Sequence, residues 1–120
     1  MVTWTTAEEW IPVSKDGRLR KKILKEGDGD HPPRNTKVNV NYIGRFTDGR
    51  VFDASRGKPF SFVLGAGQVI SGWDLGVQSM KKGEKCILEC PYDYAYGEEG
   101  FTRVIPPRAT LLFEIELIDW

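Results

Sequence analysis

One segment in the middle of the chain has helical periodicity, and it limits how the remaining segments can pack. Apolar residues recur there at helical spacing, at Val69, Ile70, Trp73, Val77 and Met80. This spacing predicts a helix over 68–80 with one apolar face. A tryptophan on such a face usually lies in a core or at the floor of a pocket. Because one helix supplies at most one crossover, the other segments must pair as antiparallel or mixed strands.

Those other segments have the alternation of short strands. Apolar and polar residues alternate in the manner of strands over 18–25, 38–42, 60–64, 84–90 and 111–118. Asp48-Gly49 is a hairpin signal, with Val51 and Phe52 after it. We therefore predict an α+β fold, in which a twisted antiparallel β-sheet of about five strands curls over one short α-helix.

Composition fits a single domain without a charged partner. The chain has 120 residues and 40% apolar content, and its 17 basic residues balance its 17 acidic ones. We expect no nucleic-acid or membrane partner, because the net charge is zero and no apolar run reaches transmembrane length. The basic cluster within 18–25 is interpreted as a solvated strand edge. We divide the chain into an N-terminal arm, 1–17, and a domain, 18–120. Thr6–Glu9 could form a capped turn, but the favoured interpretation is a loose arm that pins Trp10 and Ile11 onto the domain.

Two cysteines, Cys86 and Cys90, lie on one predicted strand. Their Cα atoms would be about 13 Å apart at the usual strand rise, whereas a disulfide needs roughly 4.4–6.8 Å. They are therefore interpreted as buried, unpaired thiols. Free thiols favour a reducing compartment. We therefore expect the protein to be cytoplasmic, in the cytosol, or nuclear.

Several chemistries lack the residues that they need. The single histidine, His31, lies in a proline-rich turn, which argues against a catalytic triad and leaves too few ligands for zinc. The glycines of 65–72 do not have the spacing of a dinucleotide fingerprint. Glu98-Glu99 is interpreted as a solvated acidic turn. We expect no metal and no cofactor.

What remains is an aromatic and aliphatic set with a few polar tips. Its members are Tyr42, Phe52, Asp53, Phe62, Val69, Ile70, Trp73, Tyr96, Ile105 and Phe113. Plain core is the alternative interpretation, and it fits Phe62 and Phe113 best. It fits Asp53 poorly, because a buried carboxylate without a partner is costly. An apolar bowl with polar groups at its edge is typical of small-molecule sites.

Four motifs in sequence order resemble the FKBP family of peptidyl-prolyl isomerases, the receptors of tacrolimus and rapamycin. They are Val51–Asp53, Val69–Asp74, Asp93–Gly97 and Val104–Pro107. The resemblance covers Leu19 to Leu117. It implies the same α+β fold, proline-containing peptides and proteins as substrates, macrolides as inhibitors, and a monomer.

The resemblance also implies roles for the residues of the bowl. Trp73 would form the floor, and Tyr42, Phe52, Phe62, Val69, Ile70, Ile105 and Phe113 the walls. The Ile70 N–H and the Tyr96 hydroxyl would donate to ligand carbonyls, and Asp53 would accept from the macrolide. Asp53, Tyr96, Trp73 and Phe113 are the expected catalytic set. Candidate loop contacts are Arg56, Phe60, Phe101 and Val104.

The resemblance has exceptions, and it admits a second function. Gln68 stands where many members have glutamate, Phe101 stands where histidine is common, and the 52–60 loop is shorter. The alternative function is an adaptor or co-chaperone module with incidental catalysis. In that case a chaperone partner is expected if the protein continues into a tetratricopeptide-repeat region. Arg56 is the nearest cation in sequence to Asp53, and we expect the two to pair, with the neutral Tyr42 hydroxyl as a second candidate donor.

Overall fold

The computed structural model describes residues 9–120. They form seven strands and one α-helix. The strands are β1 (Ile11–Pro12), β2 (Arg20–Lys25), β3 (Lys37–Phe46), β4 (Val51–Ala54), β5 (Phe60–Val63), β6 (Lys85–Cys90) and β7 (Leu111–Asp119). The helix, α1 (Ser71–Gln78), lies between β5 and β6, and Tyr92–Tyr94 form a short 3₁₀ turn after β6.

The strands form one antiparallel sheet in the order β1-β2-β6-β7-β3-β4, and β5 also pairs with β3. This arrangement confirms the predicted α+β fold. The predicted count of about five strands is too low by two. The two extra strands are β1, which the sequence analysis assigned to the arm, and β4, which follows the Asp48-Gly49 hairpin.

The core lies between the concave face of the sheet and α1. Along β7 the residues Leu111, Phe113, Ile115 and Leu117 are buried, while the residues between them are partly exposed. A strand with one buried face has this alternation. On the helix, Trp73 and Val77 point to the same core. The periodicities seen in the sequence therefore mark the faces that pack together.

Two glycines let the helix lie very close to β6. A Cβ atom at Gly72 would lie 2.7 Å from the sulfur of Cys90 and 2.8 Å from the carbonyl oxygen of Tyr94. A Cβ atom at Gly76 would lie 2.5 Å from a methyl group of Leu88. A larger side chain does not fit at Gly72, where a backbone oxygen is in the way, and at Gly76 the Leu88 side chain would have to move. The helix-to-sheet spacing therefore depends on Gly72 and Gly76.

One basic residue of the 18–25 cluster is buried, so the solvated-edge interpretation is wrong for Lys21. Its ammonium is 2.8 Å from the Glu84 carboxylate and also donates to the Ser79 carbonyl, at the C-terminal end of α1. Lys21 and Glu84 are 5% and 3% exposed. β2 is also an interior strand, because β1 covers its outer edge. Alternation along β2 explains the burial, since Lys21 points inward and its neighbours point outward.

Cys86 and Cys90 are both free and fully buried, which confirms the prediction of unpaired core thiols. Burial disfavours the thiolate. It raises the pKa of Cys86 to about 12, and the pKa of Cys90 is raised by burial as well.

The described part of the predicted arm joins the sheet. Ile11 pairs with Lys21 and Pro12 with Arg20, while the Trp10 ring lies under the Arg20 guanidinium. The capped turn proposed for Thr6–Glu9 lies, apart from Glu9, outside the described range. Within residues 9–120, no helix has both the length and the apolar character required to cross a membrane.

We expect Gly72→Ala to lower the free energy of unfolding by about 1–3 kcal/mol, the usual cost of overpacking. The added methyl group would meet a backbone carbonyl, which cannot rotate away as a side chain can. Urea denaturation measures the change. Ser71→Ala is the control, because Ser71 is the exposed neighbour on the same helix. Equal stability of the two variants would contradict the packing role of Gly72.

Candidate functional site

The site is built on the turn that joins β5 to α1. Gly65 and Gly67 have positive φ angles, 80° and 73°, which glycine adopts without strain. Their N–H groups donate to the Asp74 carboxylate, at 2.9 and 3.2 Å. The Val63 N–H donates to the side-chain oxygen of Gln68 at 2.9 Å. The Asp74 side chain thus connects the turn to the first turn of the helix, and the Gln68 side chain connects it to the end of β5.

A short connecting segment, residues 68–70, follows the turn. The predicted helix began at 68, but the helix begins at Ser71, and Ile70 is its N-cap with φ −59° and ψ 151°. The Ile70 carbonyl accepts the N–H groups of Trp73 and Asp74. Among residues 9–120, the Ile70 N–H has no acceptor. The segment therefore presents a free backbone donor beside the helix.

Trp73 lies at the centre of an aromatic cluster and is 5% exposed. Its ring centroid is 4.9 Å from that of Tyr42, 5.2 Å from Phe113, 5.8 Å from Phe62 and 5.9 Å from Phe60. Tyr42, Phe60 and Phe113 meet it edge to face, an arrangement favoured by the ring quadrupoles. The indole is therefore held rigidly at the base of the site.

Above Trp73 is an open cavity of about 250 Å³. Its lining consists of Tyr42, Phe52, Asp53, Phe60, Gln68, Val69, Ile70, Trp73, Tyr96 and Phe113. All four expected catalytic residues belong to this set, and so do eight of the ten residues of the predicted bowl. A concave, largely aromatic surface with a few polar groups is the usual form of a ligand site.

Asp53 lies at the exposed rim of this cavity and accepts a hydrogen bond from the Tyr42 hydroxyl at 2.7 Å. Burial raises the pKa of Tyr42, and the hydrogen bond and negative charge of Asp53 raise it further. Tyr42 therefore stays protonated and keeps donating to Asp53. The other Asp53 oxygen accepts the Ala54 N–H at 2.9 Å.

Tyr96 also lines the cavity. Burial raises its pKa, with a smaller contribution from the charge of Asp53. Its hydroxyl makes no hydrogen bond within the described part of the chain, in contrast to that of Tyr42. Its ring lies 5.1 Å from the ring of Phe101. The Tyr96 hydroxyl is thus a protonated donor that is available to a ligand.

A second, smaller cavity of about 190 Å³ adjoins the first. Its lining is Phe52, Asp53, Tyr96, Phe101, Val104 and Ile105. Phe52, Asp53 and Tyr96 are shared by the two cavities. Phe101 and Val104, which were predicted as loop contacts, are therefore part of an extension of the site. Both are more than half exposed.

Three predicted positions differ from the structure. Phe62 packs beneath Trp73 and is not part of the wall. Ile105 is 4% exposed and faces the smaller cavity. Arg56 lies beside a separate groove and forms no ion pair with Asp53 in the range 9–120. The expected Arg56–Asp53 pair is therefore wrong, and Tyr42 takes its place. Arg56 has a positive φ of 56°, in a turn whose conformation the sequence did not predict.

The sequence analysis gave too little weight to three residues. Phe60, expected only as a loop contact, lines the main cavity and contacts Trp73. Gln68 was noted as an exception and not as part of the site. Gly44 was not considered, although a Cβ there would lie 2.7 Å from the Phe52 ring. A glycine in the middle of a strand is a usable signal, because it often marks a close approach.

Comparison with known proteins identifies the family. Residues 29–118 match the family model of FKBP-type peptidyl-prolyl cis-trans isomerases. The chain belongs to this family. A peptidyl-prolyl isomerase from Pseudomonas syringae has a similar structure, with a TM-score of 0.82 and 40% identity, over 95% of this chain and 84% of that one. The predicted family, fold class and enzyme class are confirmed.

Two curated relatives illustrate the range of FKBP-type proteins. FK506-binding protein 1 of Dictyostelium discoideum is 55% identical over 100 residues, which cover 82% of this chain and 94% of the relative. FK506-binding protein 59 of Drosophila melanogaster is 49% identical over 113 residues, which cover 92% of this chain and 26% of the relative. The chain therefore spans nearly all of one relative and about a quarter of the other.

The Tyr42–Asp53 hydrogen bond can be tested by the titration of Tyr42. We expect Asp53→Asn to lower the pKa of Tyr42, because the variant removes the negative charge that disfavours the phenolate. Burial keeps the pKa above that of free tyrosine. NMR titration of ring-labelled tyrosines measures the shift. Asp93→Asn is the control, since Asp93 pairs with Arg18 away from the cavity. An unchanged Tyr42 titration in Asp53→Asn would contradict the contact.

Proposed function

We propose that the chain isomerises Xaa-Pro peptide bonds by stabilising the twisted amide in the cavity above Trp73. We further propose that macrolides of the tacrolimus and rapamycin type bind there and inhibit it. The observation that carries this proposal is a rigid indole floor inside an aromatic cavity, with donors along its rim.

The reaction needs neither a nucleophile nor a cofactor. Rotation about a peptide bond is opposed by amide resonance, with a barrier of about 18–20 kcal/mol. In the transition state the amide is twisted, its conjugation is lost, and the group is less polar. An apolar cavity that removes water from the amide favours this state over the planar one. The proline ring would lie on Trp73, against Phe113 and Tyr42.

Hydrogen bonds at the rim would position the backbone that flanks the proline. The free Ile70 N–H and the Tyr96 hydroxyl are suited to donate hydrogen bonds to its carbonyl oxygens. A macrolide would use the same two donors. It would also donate to Asp53, whose carboxylate the Tyr42 hydroxyl orients.

A second candidate function is that of an adaptor or co-chaperone module, in which the cavity surface binds a partner and catalysis is incidental. The exposed side chains of Phe101 and Val104 favour it, since they form an apolar rim beside the cavity. The similarity to a small part of a much longer relative is consistent with this role. We propose the cytosol or nucleus as the location, because both cysteines are unpaired.

Catalysis is tested by NMR exchange on short Leu-Pro and Phe-Pro peptides. We expect exchange well above the uncatalysed rate, which corresponds to tens of seconds or longer. Trp73→Leu should lower kcat/KM about tenfold or more, equivalent to about 1.4 kcal/mol of transition-state stabilisation. Trp10→Leu is the control, because the Trp10 ring packs against Arg20 and Lys22 of β2, outside the cavity. Exchange at the uncatalysed rate with the unaltered chain would favour the adaptor function.

Macrolide binding is tested by calorimetry with tacrolimus. We expect binding with a negative heat-capacity change, as burial of apolar surface requires. Tyr96→Phe should weaken it by about 0.5–1.5 kcal/mol, the net value of one hydrogen bond. Tyr94→Phe is the matched control, because the Tyr94 hydroxyl donates to Asp16. Equal affinities of the two variants would show that Tyr96 makes no hydrogen bond to the ligand.

A further inference from the structure

The side chain of Gln68 makes one contact that determines how its amide is oriented. The Val63 N–H donates to the side-chain oxygen at 2.9 Å. A backbone N–H needs an acceptor, and of the two ends of the amide group only the oxygen accepts. The oxygen is therefore directed towards the end of β5. The NH₂ end keeps both of its donors free of partners among the described residues.

Gln68, which carries this free NH₂ group, is one of the residues that line the main cavity. It lies two residues before Ile70, in the segment 68–70 that leads into the helix. That segment already presents the free Ile70 N–H. Two residues of this segment that line the cavity, Gln68 and Ile70, thus each have a hydrogen-bond donor without a partner among the described residues, one on a side chain and one on the backbone.

We propose that the NH₂ group of Gln68 donates a hydrogen bond to a backbone carbonyl of the bound peptide, next to the proline. This inference rests on the proposed isomerase function and assigns a further substrate-binding residue to that site. The contact lies beside the twisting bond and not on it, so it holds substrate and transition state equally. A contact of this kind lowers KM and leaves kcat unchanged.

The natural test is Gln68→Glu, because the two side chains have almost the same shape. A glutamate oxygen still accepts the Val63 N–H, so the contact that orders the turn is kept. The NH₂ donor is replaced by a carboxylate oxygen, which repels a peptide carbonyl. With an uncharged Leu-Pro peptide, we expect KM to rise about two- to tenfold with kcat unchanged. The melting temperature should stay the same.

The chain provides a matched control. Its two glutamines are Gln68 and Gln78, and Gln78 ends α1 outside the cavity lining. Gln78→Glu adds the same charge to the protein, and we expect it to keep the KM of the unaltered chain. Measurement at low and high salt separates the loss of a hydrogen bond, which persists, from long-range repulsion, which salt screens.

A direct readout comes from the side-chain amide signals in the ¹⁵N spectrum. The Gln68 pair is assigned by its absence in Gln68→Glu. We expect this pair to shift when the peptide is added, while the Gln78 pair stays in place. Gln68→Met, which cannot accept from Val63, reports the cost of losing the turn contact as well.

The outcomes separate this inference from the isomerase proposal. Absence of catalysis in the unaltered chain would refute the isomerase proposal itself. With catalysis present, an unchanged KM in Gln68→Glu, or Gln68 amide signals that do not move, would overturn the inference. A raised KM in Gln68→Met alone would also overturn it, because Gln68 would then act only through Val63. A raised KM in Gln68→Glu together with shifted amide signals would support it.

Discussion

The close packing of α1 on β6 is the constraint on which the rest of the site depends. Gly72 and Gly76 lie on the helix face towards the sheet, where a Cβ atom would overlap Cys90 or Leu88. Their lack of side chains brings the backbone of the helix down onto the strand. Trp73 follows Gly72 directly, so the same approach sets its depth in the core. The aromatic contacts around the indole, and with them the floor of the cavity, follow from this spacing.

A floor without charge and a rim with hydrogen-bonding groups suit a reaction in which polarity decreases. Stronger electrostatics at the floor would favour the planar, more polar amide and oppose the rotation. The charge of Asp53 is kept at the exposed rim, where Tyr42 orients it. Burial raises the pKa of Tyr42 and of Tyr96, so both phenols remain donors at neutral pH. Apolar burial therefore acts at the floor of the cavity, and hydrogen bonding acts at its rim.

Periodicity predicted which faces of the strands and of the helix are buried, because burial on one face is what the alternation records. It therefore identified Trp73 as a residue of the core or of a pocket floor, whereas most of the wall was implied by the family resemblance. It failed where local hydrogen bonds decide the conformation. The helix begins at Ser71 and not at 68, since Asp74 and Gln68 bind the turn before it. Arg56 does not pair with Asp53, since neighbours in sequence need not face each other in a turn. The burial of Lys21 was not predicted, because its partner Glu84 is distant in sequence.

The loop of residues 100–105, beside the cavity, bears on both candidate functions, the isomerase and the adaptor module. Phe101 and Ile105 exchange two backbone hydrogen bonds of 3.0 Å, and the Thr102 hydroxyl accepts the Val104 N–H. A Cβ at Gly100 would lie 2.1 Å from the Ile105 carbonyl oxygen, so the base of the loop is tightly packed. Apolar side chains on such a constrained loop lose little entropy when they bind, which favours affinity. A long substrate and a protein partner would meet the same preorganised apolar rim. Catalysis and partner binding therefore need not be competing designs, because the chemistry of the floor is separate from the recognition at the rim.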